Sequence, residues 1–190
     1  MLPAMQDFIG KMRGLYESTA DDAERFEKAR PYLRELLEDP ELKARAETWP
    51  SRNDPENGYY ENLLFYEDPD YGFVLNALIK EPGEDTPIHD HGKMWTVYGV
   101  LKGGETVRRY KRVPGAEEEL ETVGDHEVSP GYIDFVPPGE IHAEYNGPAR
   151  TVGIILRSGN VGANPQTWYY PETGERLRRF GPKQVPYALD

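Results

Sequence analysis

Two histidines stand one residue apart in PIHDHGKMWTVYGVLKG, residues 87 to 103, and a third lies in GYIDFVPPGEIHAEYN, residues 131 to 146. Alternate residues of a strand share a face, so His89 and His91 project together while Asp90 points away. If His142 meets them in space, three imidazoles can hold one metal ion. The chain has no cysteine, which removes thiolate ligands, disulfides and thiol nucleophiles together. A site built from imidazoles and carboxylates suits borderline or hard first-row ions rather than soft ones. The fourth histidine, His126 in GDHEVSP, sits among polar residues and reads as a surface turn residue.

Such a site needs strands to position it. After the turn-forming cluster WPSRNDPENG come short segments rich in β-branched and aromatic residues: YYENLLFY, YGFVLNALIK, WTVYGVL, ETVRRYKRV, GYIDFVP, IHAEYN and RTVGIILR. Gly- and Pro-containing turns separate them at the intervals of an all-β barrel or sandwich. Residues 1 to about 48 read instead as helical, with Phe26, Leu33, Leu36 and Leu37 at helical spacing among charges. Asp21 or Asp22 serves as the N-cap, and Pro31 and Pro40 divide the stretch. The expected division is a helical extension over residues 1–50 and a β domain over residues 51–190. From VGANPQTWYYPETGE onward there is little periodicity, and this part reads as an ordered loop covering the barrel.

The histidines lie in a pattern that resembles the cupins, small double-stranded β-helix (jelly-roll) barrels. Gly83, His89, His91 and Gly103 match the family's first motif, G-x5-H-x-H-x4-E-x6-G. Gly131, Pro137, Gly139, His142 and Asn146 match its second, G-x5-P-x-G-x2-H-x3-N. The β segments on either side extend the likeness to roughly residues 59 to 162. The resemblance implies a metal site at His89, His91 and His142. Thr96 stands where many cupins carry a metal-binding Glu, and a threonine hydroxyl is a poor ligand. Three protein ligands leave positions open for substrate, water or O2, an arrangement for chemistry rather than structural closure.

A three-histidine cupin of this kind resembles the thiol dioxygenases, which use Fe(II) to add O2 to a thiolate sulfur. TPIHDHG, Trp95, GVLKGGE and RSGNVG carry that likeness, although one extra residue separates His91 from Trp95. Two departures matter. Gly153, Ile155 and Arg157 occupy the places of the family's Ser-x-His-x-Tyr run, so its proton-handling side chains are absent or replaced. Glu61 lies where the family's Arg or Gln contacts the substrate carboxylate, and a carboxylate there would repel it. Cysteine is therefore disfavoured as the substrate. Alternation places Glu61, Leu63 and Phe65 on one inward face and Gly153, Ile155 and Arg157 on another. Glu61 and Arg157 either pair across the barrel mouth, or bind substrate, Glu61 taking a cation and Arg157 an anion. Trp95, Tyr98 and Ile155 are expected to line the cavity, with the Tyr98 hydroxyl able to donate to a bound oxygen species.

The net charge of −12, from 34 acidic and 22 basic residues, disfavours nucleic acid as a partner. The basic cluster RLRRF, with Arg176, Arg178 and Arg179, reads as a solvated local exception. No membrane-spanning run or secretory signal is visible, so a cytoplasmic location is expected. Edge strands of cupin barrels often pair between subunits, which implies a homodimer. The functional expectation is an Fe(II) dioxygenase of a small molecule, a thiol other than cysteine or a diketone-like or aromatic compound. Two other readings stay open: a non-redox enzyme (isomerase, lyase or hydrolase) using Zn, Ni or Mn, and a binding module for a metal or small molecule.

Overall fold

The computed structural model describes residues 1–189, apart from the side chains of Glu117 and Glu118. Three helices come first: α1 (Pro3–Ser18), α2 (Asp22–Leu37) and α3 (Pro40–Ala46). The Asp21 carboxylate caps α2 by accepting from the Glu24 amide, and Asp39 caps α3 by accepting from that of Leu42. Pro40 falls in the first turn of α3 and divides the stretch as expected, but Pro31 does not, because α2 runs through it. An interior proline costs about 3 kcal/mol. Burial of Phe26, Ala29, Leu33, Leu36 and Leu37 along one face of α2 offsets that cost.

Twelve strands follow: β1 (Glu61–Glu67), β2 (Val74–Lys80), β3 (Ile88–His89), β4 (Thr96–Lys102), β5 (Glu105–Val113), β6 (Ala116–Val128), β7 (Ile133–Val136), β8 (Ile141–Asn146), β9 (Thr151–Arg157), β10 (Pro165–Tyr170), β11 (Glu175–Phe180) and β12 (Lys183–Pro186). They form two six-stranded sheets, ordered β12-β1-β2-β9-β4-β7 and β11-β10-β3-β8-β5-β6. Among the described residues, all pairings are antiparallel except β1 with β12. The molecule is thus mostly β, with helices at its N-terminal end. Among the described residues, no helix is long and apolar enough to cross a membrane.

The helices cover the outer face of the first sheet. Phe26, Leu33 and Leu37 pack in one cluster with Leu63, Phe65, Leu75, Ala77, Ile79, Val97, Ile154 and Leu156. Alternate residues of the same strands, among them Leu78, Tyr98 and Ile155, form a second, smaller cluster on the inner face. With both faces covered, β2 and β9 are buried at every position.

The C-terminal part is not the loop that its weak periodicity suggests. Strand β10 pairs with β3, Trp168 opposite His89, while β12 runs parallel to β1. The segment PQTWYY is aromatic on both faces and ERLRRF is an exposed, polar edge, so neither alternates in the way that marks a half-buried strand.

Candidate metal centre

His89 and His142 are directly paired residues of β3 and β8. His91 follows β3 by two residues, in a turn fixed from both sides. The Asp90 carboxylate accepts from the amides of Gly92 and Thr167 and from the Tyr169 hydroxyl. Those bonds outweigh burial and hold its pKa below the usual value. Gly92 has φ of +62°, and a side chain there would press on the Pro165 carbonyl.

The three rings converge, with centroids 4.6 to 5.1 Å apart and their ligand atoms within 4.8 Å of one another. The Nε2 atoms of His89 and His91 are 3.3 Å apart. The remaining ring nitrogens are tied elsewhere. His89 Nδ1 lies 2.9 Å from the Pro87 carbonyl and His142 Nδ1 lies 3.2 Å from that of Glu140. A carbonyl only accepts, so each Nδ1 carries the proton and each Nε2 presents a lone pair. His91 Nδ1 meets the Thr96 hydroxyl at 3.2 Å. Thr96 therefore orients His91 from the place where many cupins carry Glu. Burial, with the neighbouring imidazoles, lowers the His89 pKa to about 4 and that of His91 well below its ordinary value. Three buried ring nitrogens converging this closely fit a divalent cation.

Glu144 was not among the residues singled out in the sequence. It lies two positions past His142 on the same face of β8, with Oε1 3.7 Å from His142 Nε2. The Thr86 hydroxyl donates to its Oε2. Burial raises its pKa, but Lys80, His142 and His89 override that and hold it well below the carboxylate range. The alternation in IHAEYN already placed it beside His142.

A small, narrow cavity opens over the histidines. Tyr98, Ile155 and Arg157 line it. Tyr98 lies over Gly153, where any side chain would collide with its ring. Its hydroxyl donates to Glu105 Oε1 at 2.7 Å and is not directed at the histidines. Burial first, then Glu105, pushes its pKa well above 10.

Two expected lining residues lie elsewhere. Trp95, on the opposite parity from Thr96 and Tyr98, stacks on Phe135 at 5.5 Å and packs toward the helices. Glu61 is buried on the helix-facing side of β1, accepting from Tyr59 at 2.6 Å with Arg52 3.7 Å away. Asn62 takes the cavity position, so the Glu61–Arg157 pair does not form. Asn76 accepts from Arg157 Nη1 at 3.1 Å, and Asn62, its amide turned to face the guanidinium, accepts from the same nitrogen at 3.3 Å. Arg157 has no carboxylate within ion-pair distance among the described residues, and its Nε has no partner. Burial lowers its pKa to about 10, so it stays charged at neutral pH. Tyr60, Gln166 and Trp168 line the cavity as well. His126 is exposed on β6, paired with Val107, rather than in a turn.

Behind Tyr98, Lys80 Nζ donates to Glu105 Oε2 at 2.5 Å, both side chains almost wholly buried. Glu105→Ala leaves Lys80 as a buried unpaired cation, with an expected loss of about 3–5 kcal/mol in urea denaturation. A loss under about 1 kcal/mol would mean that Lys80 finds another acceptor.

No family model matches the chain. It is similar to a Klebsiella pneumoniae conserved protein with a double-stranded β-helix domain (20% identity, 63% of this chain and 90% of that one, TM-score 0.44). It is also similar to the cupin domain of Schizosaccharomyces pombe Cnp3 (11%, 52% and 60%, TM-score 0.42). A third likeness is to an oxalate oxidase in complex with the substrate analogue glycolate (21%, 46% and 42%, TM-score 0.39). The matches span 51% of Peruvianin-I from Thevetia peruviana and 42% of the oxalate oxidase. These structural neighbours include double-stranded β-helix and cupin proteins.

Proposed function

We propose that this chain is a cupin-type metalloenzyme that holds a divalent first-row ion at His89, His91 and His142, and that it acts as an Fe(II) dioxygenase of a small anionic molecule, a thiol other than cysteine being the first candidate. The convergence of three buried imidazoles, the Nδ1 atoms of His89 and His142 each committed to a carbonyl, carries this reading. Iron, when bound, supplies Lewis acidity and a site for O2 activation. The rest falls to the chain. Arg157, buried in the cavity wall with no carboxylate at ion-pair distance among the described residues, supplies a positive charge that a substrate carboxylate can engage. Ile155, Leu78 and Trp168 give apolar walls that hold the substrate body and exclude water. Tyr98, kept protonated and bound to Glu105, fixes one wall.

One observation favours a second reading, a lyase, isomerase or hydrolase using zinc, nickel or manganese. Glu144 is a partly buried, ionised carboxylate next to the histidines, placed to take a proton from a substrate. Elemental analysis of protein purified without added metal or chelator separates the two when combined with O2 uptake after Fe(II) loading. Stoichiometric iron and O2 consumption on a panel of thiols and diketones support the dioxygenase. Zinc or nickel with turnover independent of O2 selects the second reading. Failure to bind any divalent metal after loading removes both.

A further inference from the structure

We infer that Glu144 is a fourth protein ligand of the metal, moving to β8 the carboxylate that Thr96 does not provide on β4. The inference rests on the three-histidine reading above and adds a residue to it.

The first support is placement. Glu144 is partly buried among the cavity-lining residues and shares the β8 face of His142. Its Oε1 is 3.7 Å from His142 Nε2. Two donors that share one ion through bonds of about 2.1 Å stand roughly 3 to 3.5 Å apart. The His89–His91 separation of 3.3 Å falls in that range and the Glu144–His142 separation is a few tenths of an ångström longer, while the mutually close ligand atoms are those of the three histidines, so ligation needs the Glu144 side chain to turn toward them.

The second support is chemical. His142 Nδ1 is committed to the Glu140 carbonyl, which leaves a lone pair on Nε2. Opposite it stands a carboxylate oxygen, which is also an acceptor. Two acceptors facing each other inside a protein repel until a cation lies between them.

The third support is that Glu144 is held for this task. Thr86 Oγ1 donates to Oε2 and accepts from the Glu144 amide at 2.9 Å, so the side chain is anchored by one oxygen while the other is left to the histidines. Lys80, which bears on it electrostatically, has its own close partner in Glu105. The arrangement repeats a general device, in which a ligating carboxylate is itself oriented by a hydrogen bond. A hard oxygen donor also lowers the net charge of the site by one and shifts its preference toward iron and manganese.

Co(II) is the probe, because its visible spectrum reports ligand number without any assay of activity. Wild type, Glu144→Gln, Glu144→Asp and His142→Ala are titrated with Co(II) against a competing chelator, and each is melted metal-free. Glu144→Gln keeps the shape and the Thr86 bond, so its metal-free melt is expected to match wild type. Its Co(II) affinity is expected to fall by more than about 100-fold, beyond the 10–100-fold that loss of an outer group costs. Its spectrum is expected to change, and Glu144→Asp to recover part of the affinity. Wild-type affinity and spectrum in Glu144→Gln, with binding lost in His142→Ala, would leave the histidine site standing and overturn the fourth ligand. A fall within 10–100-fold with an unchanged spectrum would also overturn it, making Glu144 an outer partner that pairs with His142. No Co(II) binding by wild type would remove the three-histidine reading itself.

Discussion

His142→Ala is expected to abolish stoichiometric metal binding and, with it, turnover. The loss removes Lewis-acid stabilisation worth several kcal/mol, at least about a thousandfold in rate at 1.36 kcal/mol per factor of ten. The structural cost is smaller, because the imidazole is held by one hydrogen bond to the Glu140 carbonyl. A metal ion at 100 times its Kd adds about 2.7 kcal/mol to the stability of the wild type, and the variant should lose that response. In thermal melts this means several degrees of metal-dependent shift in wild type and none in His142→Ala. The pH dependence follows from the same nitrogens. His89 and His91 have folded pKa values below the ordinary 6.5, His89 at about 4. As pH falls from about 6.5 to 4 the unfolded chain binds protons that the folded one refuses, so metal-free protein loses stability over that window. Metal occupies the same lone pairs and keeps the folded chain from binding those protons, so loaded wild type should keep the loss or steepen it. Metal-dependent melting retained in His142→Ala would place the ion elsewhere.

The convergence of the three histidines was legible because short-range geometry dictates it. The HxH spacing puts two rings on one side, and the glycines and prolines of GYIDFVPPGEIH return the chain so that β8 lies beside β3. What was misread came from a wrong premise about which face is inward. Leu63 and Phe65 looked like barrel interior because they are apolar, and Glu61 was placed with them. Three helices cover that sheet, however, so its apolar side faces outward and the polar residue, Asn62, faces the cavity. No local pattern tells one apolar face from another; only the packing of α2 does. Trp95 was a simpler error, since parity with Tyr98 already excluded it. Strands β10 and β12 were hidden for a different reason. Their partners, β3 and β1, lie about 80 and 122 residues away in sequence, and neither pairing leaves a hairpin signal between them.

Arg157→Met is expected to divide substrates by charge. The guanidinium is buried, lines the cavity, and is held by neutral amides of Asn76 and Asn62 rather than by an acid. A buried cation without a counter-ion is costly, and a substrate anion that supplies one recovers that cost on binding. Truncating one partner of a buried, hydrogen-bonded charge pair costs about 2–5 kcal/mol. That is about 30- to 4,000-fold in kcat/KM for a carboxylated substrate. A substrate of the same length ending in a carboxamide or an amine gains nothing from the guanidinium and should change by less than about fivefold. Arg157→Lys should recover only part of the loss, since an ammonium lacks the planar fork that meets a carboxylate with two parallel bonds. Metal content separates this from damage to the histidines: Arg157→Met should bind metal as wild type does. Equal losses on charged and neutral members of the panel, with metal retained, would make Arg157 a structural partner of the two asparagines and would leave the substrate's charge to be recognised elsewhere in the cavity.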